Sequence, residues 1–153
     1  MIFTPFEPKV AFRYMLCIDG IPGFICKSSG MPKIDNGEIV IDYINTDFKV
    51  KGKSRWQDIT VTLYDPVTPS GAKAVHDWIK MHHNSESGVD GFAFSEYKKD
   101  ICIQALDPKG SPVEEWTLYG AFIGPMDWGE MDWSTDEAKT LELTLHYDYA
   151  VLS

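Results

Sequence analysis

The chain has 153 residues, 14 of them Lys or Arg and 23 Asp or Glu, for a formal net charge of −9. With 44% hydrophobic and 13% aromatic residues it can bury one core without staples, which excludes a disordered segment. The acidic balance argues against a general nucleic-acid grip, because such binding neutralises phosphates with clustered Lys and Arg.

The opening M-I-F-T-P-F-E-P-K shows no basic n-region, long apolar core or small-residue cleavage site, so no secretory signal is expected. Apolar runs such as Tyr14 to Ile18 are far too short to span a bilayer. Val10 to Ile18 alternates, with Val10, Phe12, Tyr14, Leu16 and Ile18 on one face, which predicts a strand. Gly20-Ile21-Pro22-Gly23 is turn chemistry, followed by a short apolar run, Phe24-Ile25-Cys26. Glu38 to Tyr43 alternates again, with Ile39, Ile41 and Tyr43 on one face. Gln57 to Leu63 directs Ile59, Val61 and Leu63 inward and Asp58, Thr60 and Thr62 outward. Asp65-Pro66 and Thr68-Pro69 close that strand. Ser70 to His83 then switches to helical spacing, with Ala72, Val75, Trp78, Ile79 and His82 on one face, Ser70 as N-cap and Asn84 as stop. After a polar loop, Asn84 to Gly91, two strands, Ile101 to Leu106 and Val113 to Phe122, flank the turn Asp107-Pro108-Lys109-Gly110. Thr140 to Tyr149 alternates most cleanly, with Leu141, Leu143, Leu145, Tyr147 and Tyr149 on its apolar face. The predicted class is mainly β, an antiparallel sandwich or barrel with one flanking helix.

Little in this pattern points to chemistry. Cys17, Cys26 and Cys102 are scattered, with no C-x-x-C, and read as small buried hydrophobes of a protein made in a reducing cytoplasm. His82 and His83 are adjacent on the helix and diverge by about 100°, and His76 lies six residues before His82, so no pair has metal-ligand spacing. Helix-end stabilisation with a partly buried His82 is the plainer expectation, and His146 belongs to a polar strand face. The stretch Asp127-Trp128-Gly129-Glu130-Met131-Asp132-Trp133 sets carboxylates beside aromatic platforms, as a sugar site would. Its spacing matches no catalytic signature, and paired acids in loops are usually solvated. G-x-S-x-G, P-loop and dinucleotide fingerprints are absent, so no enzyme activity, metal or cofactor is expected.

The run Asn45 to Trp56, N-T-D-F-K-V-K-G-K-S-R-W, is out of character with the acidic chain. Lys49, Lys51, Lys53 and Arg55 recur on every second residue against one acid, Asp47, which predicts a cationic side on an extended finger. Phe48 and Val50 give the other edge an apolar character. The finger reads as the long loop of a hairpin between Glu38–Tyr43 and Gln57–Leu63. A nucleic-acid clamp, an anion site, a solvated loop and a self-association surface all fit its composition; exposed apolar edges favour association.

Several segments, in order, carry a resemblance over nearly the whole length. They are F-R-Y-M-L-C-I-D-G-I-P-G-F (Phe12 to Phe24), S-x-G-x-P-K-I (Ser28 to Ile34), R-W-Q-D-I-T-V-T-L (Arg55 to Leu63) and a helix with Trp78-Ile79. W-T-L-Y-G-A-F (Trp116 to Phe122) and W-S-T-D-E-A-K-T-L-E-L-T-L-H-Y-D (Trp133 to Asp148) complete the set. The chain resembles the tail tube proteins of contractile-tailed bacteriophages, relatives of the type VI secretion and pyocin-like tubes.

The resemblance implies one tube domain over 1–153, two packed antiparallel sheets with a helix at the side, and six copies closing into a ring lined by a joint β-barrel. Rings would stack into a hollow conduit for the genome, and the loop at Ile44 to Arg55 would reach the neighbouring ring. That assigns Asn45, Asp47, Phe48, Lys49, Val50, Lys51, Lys53 and Arg55 to stacking. An acidic lumen would repel DNA without binding it, over a Debye length of about 8 Å, with Asp58, Thr60, Thr62, Glu142 and Thr144 as lumen candidates. Lys73, Asp77 and Lys80 are candidates to face the sheath. Expected partners are further copies of the chain, the sheath, a baseplate tube initiator, a tail terminator, the tape measure protein and transient DNA, within a virion and with no membrane. A baseplate initiator or an injection-system tube subunit is the nearest alternative; from another class, a monomeric ligand-binding β-barrel would keep a pocket behind Trp128 and Trp133.

Overall fold

Alternation builds the centre of the molecule. Leu141, Leu143 and Leu145 stand directly opposite Leu63, Val61 and Ile59 on a neighbouring antiparallel strand, and all six are buried. The computed structural model describes residues 2–153 other than Pro69 and Phe92, so Met1 and the Pro69 end of the expected turn lie outside the described residues.

In chain order the strands are β1 (Tyr14–Cys17), β2 (Cys26–Ser29), β3 (Lys33–Asp42), β4 (Asp47–Gln57), β5 (Ile59–Tyr64), β6 (His83–Asn84), β7 (Val89–Asp90), β8 (Lys99–Leu106), β9 (Pro112–Asp127), β10 (Thr140–His146) and β11 (Tyr149–Leu152). Helix α1 (Gly71–His82) follows β5, and the single turn α2 (Phe94–Tyr97) precedes β8. The main sheet has 7 strands in the order β1-β8-β9-β10-β5-β2, with β11 also on β9, and every recorded pairing is antiparallel.

The expected pair of packed antiparallel sheets is present, and the two halves are joined because β9 runs from one into the other. Along 116–118 that strand is paired on one edge with β8 and on the other with β11; from Phe122 to Asp127 its partner among the described residues is β10. The halves bring their apolar sides into one core that includes Leu16, Ile103 and Leu118 from one half and Val61, Leu143 and Leu145 from the other. Where the halves meet, the alternation slips. Leu118 and Ala121 are both buried, and between them Gly120 adopts φ +69°, a left-handed conformation natural to glycine. A Cβ at Gly120 would collide with the Asp148 carboxylate.

Opposite this slip the expected single strand Thr140–Tyr149 is broken in two. Tyr147 is buried, Tyr149 is exposed and Ala150 takes the inward position. One residue of extra length at Asp148, whose N–H donates to Tyr119 O at 2.9 Å, moves the apolar face to the even positions. The expected strand from Val10 is shorter as well. Arg13 N donates to Val10 O at 3.2 Å, closing a turn, and Phe12 is 75% exposed.

Helix α1 starts as expected: the Ser70 hydroxyl accepts from Lys73 N at 3.2 Å. Val75 and Trp78 are buried. The helix ends at His82, one residue before the expected His83, because His83 leaves into the two-residue pairing of β6 with β7. Contacts of His76 with the Trp128 ring and of His82 with the Phe122 ring place α1 along the edge of β9 that, among the described residues, no strand covers beyond Ala121. The three cysteines, expected buried, are each half-buried. Cys17 and Cys102 emerge on the outer face of their sheet, and Cys26 lies on the edge strand β2.

Candidate assembly surface

The basic finger is a strand rather than a loop. β4 returns along β3 from Asp42 opposite Asp47 to Lys33 opposite Gln57, and only Tyr43 to Thr46 form the connection, closed by Tyr43 N to Thr46 O at 2.8 Å. β3 therefore pairs with β4 and not with β5, correcting the long-looped hairpin expected from the sequence. The two strands form a separate 2-stranded sheet. Its root is held by Trp56, whose ring lies 6.5 Å from Trp116 and 6.2 Å from Tyr147, and by the Tyr147 hydroxyl accepting from Lys33 N at 3.3 Å.

The register also redistributes the charges. Asn36 faces Ser54 and Glu38 faces Lys51, so Gly37 alone opposes both Gly52 and Lys53 in a bulge. The backbones approach too closely there for side chains: a Cβ on Gly37 would lie 2.9 Å from Lys53 O, and one on Gly52 2.9 Å from the Gly37 carbonyl carbon. The extra residue turns the strand over. Lys49 and Lys51 share one face with Glu38 and Val40, whereas Arg55 lies with Asp35 on the other face, which carries Ile39, Ile41, Phe48 and Val50. The common cationic side expected from spacing is divided. Lys49 pairs with Glu38 at 3.6 Å. Over residues 33–57, five cations (Lys33, Lys49, Lys51, Lys53, Arg55) meet four acids (Asp35, Glu38, Asp42, Asp47), a net of +1.

The apolar face is the more unusual feature. Ile39, Ile41 and Phe48 are 54%, 41% and 53% exposed, and Ile44 and Asn45 project at the tip. Ile2, Phe3 and Phe6, in the N-terminal segment ahead of β1, are exposed too, a contribution no periodicity announces. Gly52→Val is expected to break the ribbon and spare the body. Hydrogen exchange of amides in 33–57 should accelerate at least about tenfold while β5 and β10 keep their protection.

The proposed lumen residues come together on the outer face of the main sheet. Thr62 stands opposite Glu142 and Thr60 opposite Thr144, and Asp58 Oδ1 lies 2.7 Å from His146 Nδ1. Pairing extends the first of these rows to Ser28 on β2 and Asp127 on β9, giving Ser28, Thr62, Glu142 and Asp127 across four strands. Ser28 and Asp127 were not singled out by sequence, because only the register aligns them. Lys73, Asp77 and Lys80 are all exposed, and their spacing puts them on one stripe of α1.

Between α1 and β9 lies a cleft of about 500 Å³ lined by His76, His82, Tyr97, Phe122, Trp128 and His146, among others. His82 is exposed rather than partly buried, packed edge-on to Tyr97 and stacked on Phe122. His83 pairs with Asp90. Among the described residues no group of three or more His, Cys, Asp or Glu is placed to hold a metal ion. In the acidic Trp-rich loop, Trp133 is 107% exposed, so it walls no pocket. Hydrogen bonds from the Ser134 backbone and hydroxyl hold the Asp132 carboxyl below its usual range, opposite to what a general acid needs.

Comparison with known proteins gives a consistent result. The family described as T4-like virus tail tube protein gp19 matches residues 41–151. Tail tube protein gp19 of Enterobacteria phage T4 is 28% identical over 131 residues, covering 82% of this chain and 78% of that protein. The tail tube protein of Serratia phage KSP90 is 24% identical over 104 residues, 68% of this chain and 59% of that protein. Among solved structures, the tube-terminating cap of the anti-feeding prophage superposes over 99% of this chain and 94% of its own, with TM-score 0.78 and 19% identity. A chain of the PVC sheath-tube complex, an extracellular contractile injection system, gives TM-score 0.75 at 21% identity over 95% and 91%. Hcp1 from Flavobacterium johnsoniae gives 0.58 at 10% identity over 93% and 95%. These structures share the fold, and the family match reaches from the end of β3 into β11: the chain belongs to the T4-like virus tail tube protein family, the structural subunits of phage tail tubes.

Proposed function

We propose that residues 1–153 act as one tube domain, that six copies close into a ring, and that rings stack into the hollow conduit of a virion tail through which the genome passes. The exposed apolar face of the ribbon carries this reading. A two-stranded ribbon is marginal alone in water, and one presenting exposed Ile39, Ile41 and Phe48 beside a half-buried Val50 calls for a cover. A neighbouring ring supplies it, with Asn45, Asp47, Phe48, Lys49, Val50, Lys51, Lys53 and Arg55 on the stacking element. Strands β1 and β2 end the main sheet, and pairing with neighbours removes such edges and continues the sheet into a joint barrel. Stacking contacts that do not close on themselves propagate as a filament.

Within the ring, Asp58, Thr60, Thr62, Glu142 and Thr144 line the channel, and the acidic chain holds DNA phosphates off its wall without binding them. Lys73, Asp77 and Lys80 face the sheath. Baseplate initiator, terminator and tape measure proteins complete the partners, and the subunit performs no catalysis. Negative-stain microscopy of the purified protein tests the proposal. Six-fold rings or hollow tubes are expected, and a strictly monomeric particle at high concentration refutes it.

Electrostatics gives a second, smaller test. Lys49→Glu, Lys51→Glu and Lys53→Glu together take the ribbon from +1 to −5. The variant is expected to fold normally but to form fewer and shorter tubes. Because the Debye length falls to about 3 Å at 1 M salt, assembly should recover there, which turbidity and microscopy read directly. Undiminished assembly at low salt would remove charge from the stacking account.

A further inference from the structure

Strand β1 is an edge strand held in the main sheet by β8 alone, through the pairs from Tyr14 opposite Ala105 to Cys17 opposite Cys102. Directly opposed residues of an antiparallel ladder point to the same face with Cα atoms about 4.5–5.5 Å apart. That lies within the span of about 4.4–6.8 Å that a disulfide bridges. Leu16 and Ile103 are buried on the core side, so Cys17 and Cys102 emerge together on the outer face, both half-buried. They line one shallow apolar depression with Met15, Ile18 and Thr117. The thiols interact: burial first, then the hydrogen bond with the Cys17 thiol, pushes the Cys102 thiol up to about 12. Cys26 is placed differently, on β2 with its Sγ 3.8 Å from the Tyr14 hydroxyl and no cysteine opposite.

We propose that Cys17 and Cys102 form a redox-responsive pair that closes to an intramolecular disulfide, stapling edge strand β1 to β8 when a small disulfide such as oxidised glutathione is available. The Cys17 thiolate attacks the glutathione disulfide, because burial keeps Cys102 protonated at this stage, forming a mixed disulfide and releasing one glutathione thiolate, which takes up the proton that Cys102 gives up. The second cysteine, deprotonated, attacks the protein sulfur of that mixed disulfide and expels the second glutathione. The two cysteines are oxidised by two electrons, and one glutathione disulfide is reduced to two thiols. Register places the resolving thiol beside the attacking one, so the mixed disulfide does not persist.

The whole protein, reduced and then freed of reductant, is incubated with oxidised glutathione and followed by thiol titration, intact mass and peptide mapping. The expected result is loss of two thiols per chain, a cross-linked peptide pair joining Cys17 to Cys102, free Cys26 and no retained glutathione. Closing a loop of this length should raise Tm by roughly 10 °C. A lasting glutathione adduct, linkage between chains, linkage through Cys26 or three unreacted thiols overturns the proposal. Cys17→Ser should abolish the linkage and the Tm rise; Cys26→Ser should leave both. Phenylarsine oxide, which bridges two neighbouring thiols, gives a readout on the unsubstituted protein. One equivalent should bind the reduced chain and block its oxidation, and failure to bind refutes the pair.

Discussion

Ile41→Asp combined with Phe48→Asp is expected to yield a folded subunit that builds neither rings in register nor tubes. Both side chains stand opposite one another on the outward face of the ribbon, away from the main sheet's core. Burying each is worth about 2 kcal/mol, so losing both removes about 4 kcal/mol from every stacking contact, roughly a thousandfold in its equilibrium constant. The carboxylates add a desolvation cost on top. Sedimentation velocity should show only small species at concentrations where the unsubstituted protein sediments as polymers, with an unchanged far-UV spectrum. Tubes of ordinary length from this variant would exclude the ribbon's apolar face from stacking.

Trp78→Ala is the substitution with the largest expected effect on the subunit itself. Trp78 is 2% exposed, donates from Nε1 to Tyr97 O at 2.8 Å, and carries the Lys99 ammonium 4.9 Å from its ring centroid. It thereby ties α1 to α2 and to the start of β8. Removing it leaves a large cavity and an unpaired carbonyl, costing about 4 kcal/mol, which corresponds to a Tm lower by roughly 8–16 °C. Its neighbour Asp77 faces solvent, so Asp77→Ala should change stability by less than about 0.5 kcal/mol. Comparable thermal shifts for the two would contradict the placement of the helix.

These two sites show which parts of the molecule were legible beforehand. Helix α1 could be read to within one residue of its end because its signals are local, a capping serine and 3.6-residue apolar spacing, although His82 turned out exposed. Strand β5 and the expected last strand as far as His146, which is β10, were equally plain, since a half-buried strand writes its burial in alternate letters. The order of motifs carried the family. The ribbon was not legible, because a one-residue bulge at Gly37, Gly52 and Lys53 depends on which strand pairs with which. Counting every second residue then put Arg55 on the wrong face. The slip at Gly120 and Asp148 is of the same kind: two strands change parity together, and neither sequence alone announces it. Asp127 and Ser28 join the polar row for reasons of register only. Signals within one element survive in the sequence, and signals between elements appear when the chain is paired.

The pairing of β1 with β8 has a consequence for how the subunit is made. Tyr14 finds its partner only at Ala105, so the first strand leaves the ribosome long before its neighbour exists. At about 5–20 residues per second, it waits for roughly 5–20 s of synthesis. During that time its hydrogen-bonding groups and Leu16 have no native strand to join. The ribbon β3–β4 closes within its own local segment and can form early. Its anchors Trp116 and Tyr147 emerge later still, so a newborn chain holds the ribbon only as an unsupported hairpin until the body is complete. Host factors that shield nascent chains, and the rate of translation between β2 and β8, would then govern how much of this subunit reaches the tail.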